Sequence, residues 1–452
     1  MKKQTPFIIS VNFMLFMIIN PVWAVTKHVP SEYGTIQAAI DDCNDGDTVL
    51  VASGTYTGEG NRDIDFNGKA VTLKSESGAE TCIIDCQASE QDLHRGFYFH
   101  NREGNDSVLD GFTIMNGCAW HGGGIRCRSS SPTIKNCIIR NNRAAPGKPG
   151  DFVGNGGGIC AVSSNLEVTD CVIKENQAFL GGGIALVSYR LEGTYPKPAV
   201  STCTIQGNHA DIGGGIYGVG YVAVVNCLIS NNSADIGGGV STSGGIFVFG
   251  NTTITNSTIC GNVALSIGGG IDCGEWASPS VMNSILWGNK AVEGSQISMF
   301  CIDRGSSLLI RDSLVEGGKA SISYEGPKSW CRLTWGPGNL DTDPLFSGPD
   351  KNDYHLRSQA GRWDPNSQTW VQDDVTSPCI DAGDPNSPIM HEPFPNGGYV
   401  NMGAYGGTSE ASKSYFGGPV CETIIAGDIN GDCRVDSEDL RILMSHWTEG
   451  EY

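Results

Sequence analysis

The sequence predicts an all-β fold, a parallel β-helix solenoid with a helical N-terminal cap and a small loop-helix tail. Three observations predict it. Six segments repeat one residue pattern, beginning at Cys137, Cys171, Cys203, Cys227, Ser257 and Ser284. Most copies are followed by three glycines and an aliphatic residue, as in Gly156-Gly157-Gly158-Ile159 and Gly213-Gly214-Gly215-Ile216. Between the glycines, apolar and polar residues alternate over short Ile-, Val- and Thr-rich stretches, which is strand rather than helix periodicity. Self-similarity at a period of a few tens of residues means a solenoid of stacked units.

The N-terminus comes first. Lys2 and Lys3 precede an apolar run from Phe7 to Ile19, and Val22-Trp23-Ala24 ends in a small-residue cleavage pattern. This reads as a signal peptide over residues 1–24, so the mature chain is expected to be secreted or held at the cell surface, with no membrane span. The segment from Thr35 to Cys43 places Ile36, Ala39 and Ile40 on one side of a short helix, able to cover the open end of the solenoid. Residues 25–105 form this cap and the first coils, and residues 106–330 the repeats.

Within the repeats, positions are conserved in register. Two places after the first residue stand Ile139, Ile173, Ile205, Ile229, Ile259 and Leu286; five places after it stand Asn142, Asn176, Asn208, Asn232, Asn262 and Asn289. Seven places after it comes alanine in every copy, from Ala144 to Ala291. The copies are spaced 34, 32, 24, 30 and 27 residues apart, so insertions vary while the columns persist. The isoleucines are expected to fill the interior, and the asparagines to bond up and down the stack at a tight turn. The cysteine column is expected to be small buried packing, because Ser257 and Ser284 stand where a metal ladder would require a thiolate.

Charge narrows the partners. The 49 acidic residues outnumber the 29 basic ones, giving a net charge of −20 that disfavours nucleic acid. One pair of acids is a catalytic candidate. Asp211 and Asp235 each follow a column alanine and are expected to stack a rung apart, near His209 as a substrate-binding candidate. Arg140 with Lys174, and Arg126 with Arg128, are read as solvated faces. No nucleophile elbow, P-loop or zinc motif is present.

The opening, Val29 to Ile40 followed by Gly46 to Val51 and Gly54-Thr55-Tyr56, resembles the N-terminal cap of right-handed parallel β-helix proteins, the fold of pectate and pectin lyases. The repeats also resemble those of bacterial surface β-helix proteins, including polymorphic outer membrane proteins. The resemblance spans roughly residues 27–330 and implies handedness. Asp343 to Phe346, Ser377 to Pro385 and Asn401 to Gly406 resemble the choice-of-anchor ending of secreted bacterial β-helix proteins, placing residues 331–418 as irregular coils that close the solenoid.

The tail, residues 419–452, carries a ligand pattern. Asp428, Asn430, Asp432, Asp436 and Asp439 stand at positions 1, 3, 5, 9 and 12 of an EF-hand-type loop, with the carbonyl of Arg434 at position 7. Leu440, Leu443, Met444 and Trp447 follow on one helical face. The segment resembles half of a type I dockerin, which implies calcium and a cohesin-like partner; Cys433 departs from the usual glycine, and a disulfide to Cys421 could serve as a staple. Taken together, the reading is a secreted or cell-surface β-helix protein that binds, and as a lyase or glycoside hydrolase would degrade, polysaccharide. The alternative is a non-catalytic adhesion solenoid.

Overall fold

The computed structural model of the protein describes residues 24–145, 154–189, 195–236, 240–242, 250–301, 305–417, 427–429 and 434–446. The expected signal peptide, Gly237 to Gly239, Cys421, Cys433 and Trp447 lie outside them. The middle coils pass through four sheets in turn. Among the described residues the first sheet has 12 strands, from Thr26–Val29 to Arg332–Trp335, and the second has 10, from Gly54–Tyr56 to Leu314–Val315. The third has 6, from Cys118–Ala119 to Val263–Ile267, and the fourth 9, from Phe97–Phe99 to Ile322–Glu325. All pairings within these sheets are parallel, and the repeats align residue for residue: Ile138 faces Val172, Ile139 faces Ile173 and Arg140 faces Lys174. The architecture is a parallel β-helix.

This register turns sequence columns into physical ladders. Ile139, Ile173, Ile205, Ile229, Ile259 and Leu286 point inward and are fully buried. The asparagine column forms a continuous internal ladder between the second and third sheets. The backbone N–H and Nδ2 of Asn142 both donate to Oδ1 of Asn176, whose own groups donate to Asn208, and so on through Asn232, Asn262 and Asn289. Each Nδ2 also donates to the isoleucine carbonyl a rung back, as Asn208 does to Ile173 at 2.9 Å. Burying six amides is tolerated because these donors are answered.

The cysteine column is more than packing. Cys137, Cys171, Cys203 and Cys227 are buried, and each thiol donates to the carbonyl two residues back, as Cys137 does to Lys135 at 3.1 Å. Ser257 and Ser284 do the same, and the backbone N–H of the preceding rung donates to them in turn. Cysteine and serine therefore interchange because both offer one donor and one acceptor here. The glycine runs make the corner between the third and fourth sheets. A Cβ on Gly157 would lie 2.4 Å from the carbonyl oxygen of Gly182, closer than any side chain tolerates.

The cap is a helix over Ile36–Asp41, with Ile36, Ala39 and Ile40 buried and Thr35 accepting from the N–H of Ala38 at 3.3 Å. The C-terminal region departs from the expectation that it closes the last coil. It runs back along the outside of the second sheet. Leu228, Cys260, Ile285 and Leu314 point outward there and form a second apolar cluster with Phe346, Tyr354, Leu356, Cys379 and Met402. The hydrophobic effect selects this route, since those outward side chains would otherwise be bare. Polar ties hold it: Asn226 Nδ2 donates to the carbonyl of Ala404 at 3.1 Å, and the N–H of Asp384 donates to Asn283 Oδ1 at 2.7 Å. A disulfide joins Cys301 to Cys331 at the last coils. No helix among the described residues is long and apolar enough to cross a membrane.

Candidate functional site

Parallel register brings the proposed acid pair together. His209–Ile212 and Ser233–Ile236 are neighbouring strands of the third sheet, with His209 facing Ser233 and Ala210 facing Ala234. Asp211 and Asp235 therefore stand side by side on the outer wall, both exposed to solvent. His209 lies one column away, and its Nδ1 is 2.9 Å from Ser233 Oγ.

A different cluster has the features of a built site. It lies on the outer face of the fourth sheet at the first coils, where Phe97–Phe99 pairs with Ile125–Arg128 and Tyr98 faces Arg126. Phe97, Phe99, Ile125 and Cys127 fill the interior, so alternation sends Tyr98 and Arg126 outward together. The guanidinium of Arg126 lies 5.2 Å from the Tyr98 ring centroid, and that of Arg95 lies 5.0 Å from it. One aromatic ring thus holds two cations, each contact being worth about 0.5–2 kcal/mol. Arg95 Nη1 also donates to the carbonyl of His121 at 2.7 Å. Neither arginine has a carboxylate partner among the described residues, in a protein whose net charge is −20.

Among the described residues three buried polar atoms here have no hydrogen-bond partner: Arg126 Nε, His121 Nδ1 and Asn155 Oδ1. His121 and Asn155 face one another across a bridge between successive rungs, at the corner that Gly122 turns with φ +61°. Each orphaned group costs about 1–3 kcal/mol until a ligand or water meets it. Burial, then Arg126 and Arg95, pushes His121 down to about 4, so the ring is neutral at pH 7 and offers hydrogen bonds without charge. Burial and then the neighbouring Arg126 also hold Arg95 below its ordinary value. Beside them Trp120 is 57% exposed, a flat apolar surface next to the cations. Such an arrangement can meet an anionic group with its guanidiniums and hydroxyls with its unpaired polar atoms.

Sequence reading missed Arg95 and Tyr98 because both precede the first recognisable repeat, where columns cannot be aligned. It also treated Arg126 as solvated alongside Arg128. Arg128 is exposed, whereas Arg126 is half-buried against Tyr98. Arg140 is likewise half-buried, with Nη2 3.4 Å from Met115 Sδ, and Lys174 stacks above it.

In the tail, Asn430 and Asp432 lie outside the described residues. Asp428 and Asp439 are buried, and Asp439 accepts from the N–H groups of Ile429 and Asp436 at 2.6 and 2.7 Å, drawing the two ends of the loop together. Asp436 accepts from Glu438 N–H at 2.8 Å and starts the helix Ser437–His446. The described residues include no group of three His, Cys, Asp or Glu side chains able to hold a metal. On that helix Leu440, Leu443 and Met444 are exposed, while Ile442 and Asp439 are buried. Asp439 must point inward to reach two backbone N–H groups, and that rotates the leucines to the surface.

Residues 37–192 match the family described as right handed beta helix region. The fold is a right-handed parallel β-helix. Residues 328–383 match a second family, described as disaggregatase related. No curated protein matches the chain. Among solved structures the β-helix is similar to pectate lyase Pel9A, with a TM-score of 0.47 and 17% identity over 81% of this chain and 89% of that one. It is also similar to the pectin methylesterase from Aspergillus niger, with a TM-score of 0.34 and 17% identity over 72% of this chain and 88% of that one.

Proposed function

We propose that this β-helix protein binds acidic polysaccharide on the outer face of its first coils. One observation carries the reading: Arg95 and Arg126 converge on Tyr98 with no carboxylate partner among the described residues, on a strongly acidic protein. A uronate or sulfated sugar would give its anion to the guanidiniums, its hydroxyls to His121 and Asn155, and its ring face to Trp120. The reading is one of binding. Cleavage of the bound glycan, for which Asp211 and Asp235 are the candidate acids, would be registered as unsaturated product or new reducing ends in the same assay.

Two further parts of the proposal rest on sequence. Export follows from the N-terminal 24 residues, and it brings the protein to extracellular glycan or the cell surface. Calcium in the tail is supported by the oxygen spacing from Asp428 to Asp439 and by the burial of those two end residues. A cohesin-like or cell-surface partner would then meet the exposed Leu440, Leu443 and Met444. Affinity electrophoresis against a polyuronate and a neutral glucan tests the central claim. Retention on the polyuronate should fall steeply with salt, and Arg95→Gln or Arg126→Gln should each weaken it about tenfold, one charge-assisted contact being worth about 1.5–3 kcal/mol. Equal retention on both glycans, or a double variant that binds like the wild type, overturns it.

A further inference from the structure

A cleft of about 250 Å³ opens where the returning C-terminal segment crosses the β-helix. The solenoid contributes Asp170, Thr202, Thr204 and Leu228, and the returning segment contributes Tyr405 and Glu410. The cleft therefore exists only because the chain doubles back on itself. We infer that it binds a single neutral pyranose residue, at a site separate from the cationic face and of opposite charge preference.

The lining decides the ligand class. It holds two carboxylates and several hydroxyls, and neither lysine nor arginine is among the lining residues. Glu410 Oε2 lies 3.3 Å from Nε2 of the buried His355, and among the described residues its Oε1 accepts no hydrogen bond. Thr169 Oγ1 donates to Asp170 Oδ2 at 3.1 Å, and among the described residues Asp170 has no ion-pair partner. Sugar hydroxyls are donors matched to these free carboxylate oxygens, whereas a uronate or sulfate would be repelled by both acids. Among the lining residues Tyr405 presents an aromatic ring to the C–H face of a sugar, its own ring stacked on His355 with centroids 3.7 Å apart. At about 250 Å³ and open to solvent, the cleft has room for a sugar ring.

The test uses the full chain with the methyl glycosides of glucose, galactose and mannose, read by ligand-observed NMR and calorimetry, with glucosamine and calcium chloride as cationic controls. At least one neutral glycoside should bind with a Kd on the order of 1–10 mM, as expected for so few atoms. Asp170→Asn and Glu410→Gln should each weaken it at least tenfold while leaving polyuronate retention unchanged, and Arg95→Gln should do the reverse. Asp170→Asn keeps the fold, since residue 170 has φ +52° and asparagine adopts that region readily. Absence of binding by all three glycosides overturns the inference. So does equal binding by both variants, or binding of glucosamine or calcium in preference to every neutral sugar. None of these outcomes bears on the polyuronate measurement, so the two sites stand or fall separately.

Discussion

Replacing Asn208 with leucine should damage the molecule in a way that can be traced atom by atom. Oδ1 of Asn208 accepts from the backbone N–H and from Nδ2 of Asn176, both at 3.0 Å. Its Nδ2 donates to Ile173 O at 2.9 Å and to Asn232 Oδ1 at 3.0 Å. Leucine has a similar volume, so the loss is polar rather than steric. The Asn176 N–H is orphaned in a fully buried place, at about 1–3 kcal/mol, and three other groups each lose one of their bonds at about 0.5–1.5 kcal/mol. The sum is about 2.5–7.5 kcal/mol. Urea unfolding should report that loss, and hydrogen exchange should accelerate at Asn176 and Gln177 before it does elsewhere, because coils contact only their neighbours. Gln206→Leu, on the outward column two residues earlier, is the control and should stay within about 0.5 kcal/mol. An Asn208→Leu protein with unchanged exchange at Asn176 and a stability within 0.5 kcal/mol of wild type would refute the ladder as a source of stability.

Two other outcomes follow from titratable groups. Burial alone would lower His355, but its bonds to Asp353 and Glu410 outweigh burial and raise it, while the same bonds overcome burial to lower Asp353. The His355 contribution should therefore be complete below the ordinary histidine value near ~6.5 and vanish as pH rises through the elevated folded value. The Asp353 contribution should instead be lost as pH falls through its depressed one. The stability difference between wild type and His355→Gln isolates the first effect, because the burial-driven rise of Glu392 to about 7 is common to both proteins. A difference that stays constant into alkaline pH would contradict it. In the tail, calcium should protect the stretch around Gly427 to Val435 from proteolysis, and Asp428→Ala or Asp439→Ala should abolish protection without changing the unfolding of the β-helix. Cleavage at equal rates with and without millimolar calcium would remove the metal from the proposal.

The pattern of repeats was legible because parallel stacking converts a sequence column into a spatial one without further information. Ile139 to Leu286 had to be a core row, and Asn142 to Asn289 an amide ladder, as soon as the coils were aligned. The exposed pair Asp211 and Asp235 follows from the same logic, and so does their solvation, since they occupy an outward position on a regular wall. Even the return of the C-terminal segment left a trace. The outward column reads Arg140, Lys174, Gln206, then Ser230, Cys260, Trp287, so its cations give way to uncharged residues where the chain comes back to cover it.

What alignment could not supply was contact between residues that belong to no common column. Arg95 reaches Tyr98 and His121 from a coil that carries no repeat signature, and Glu410 and Asp170, 240 residues apart in the chain, line one cleft. The length of each insertion and the route of the returning segment set these meetings, and both are decided by which apolar surface is left to bury. Composition and periodicity therefore determined the solenoid, its core and its ladders. The cationic face and the sugar-sized cleft were decided only by tertiary packing, because their groups converge through burial and not through repetition.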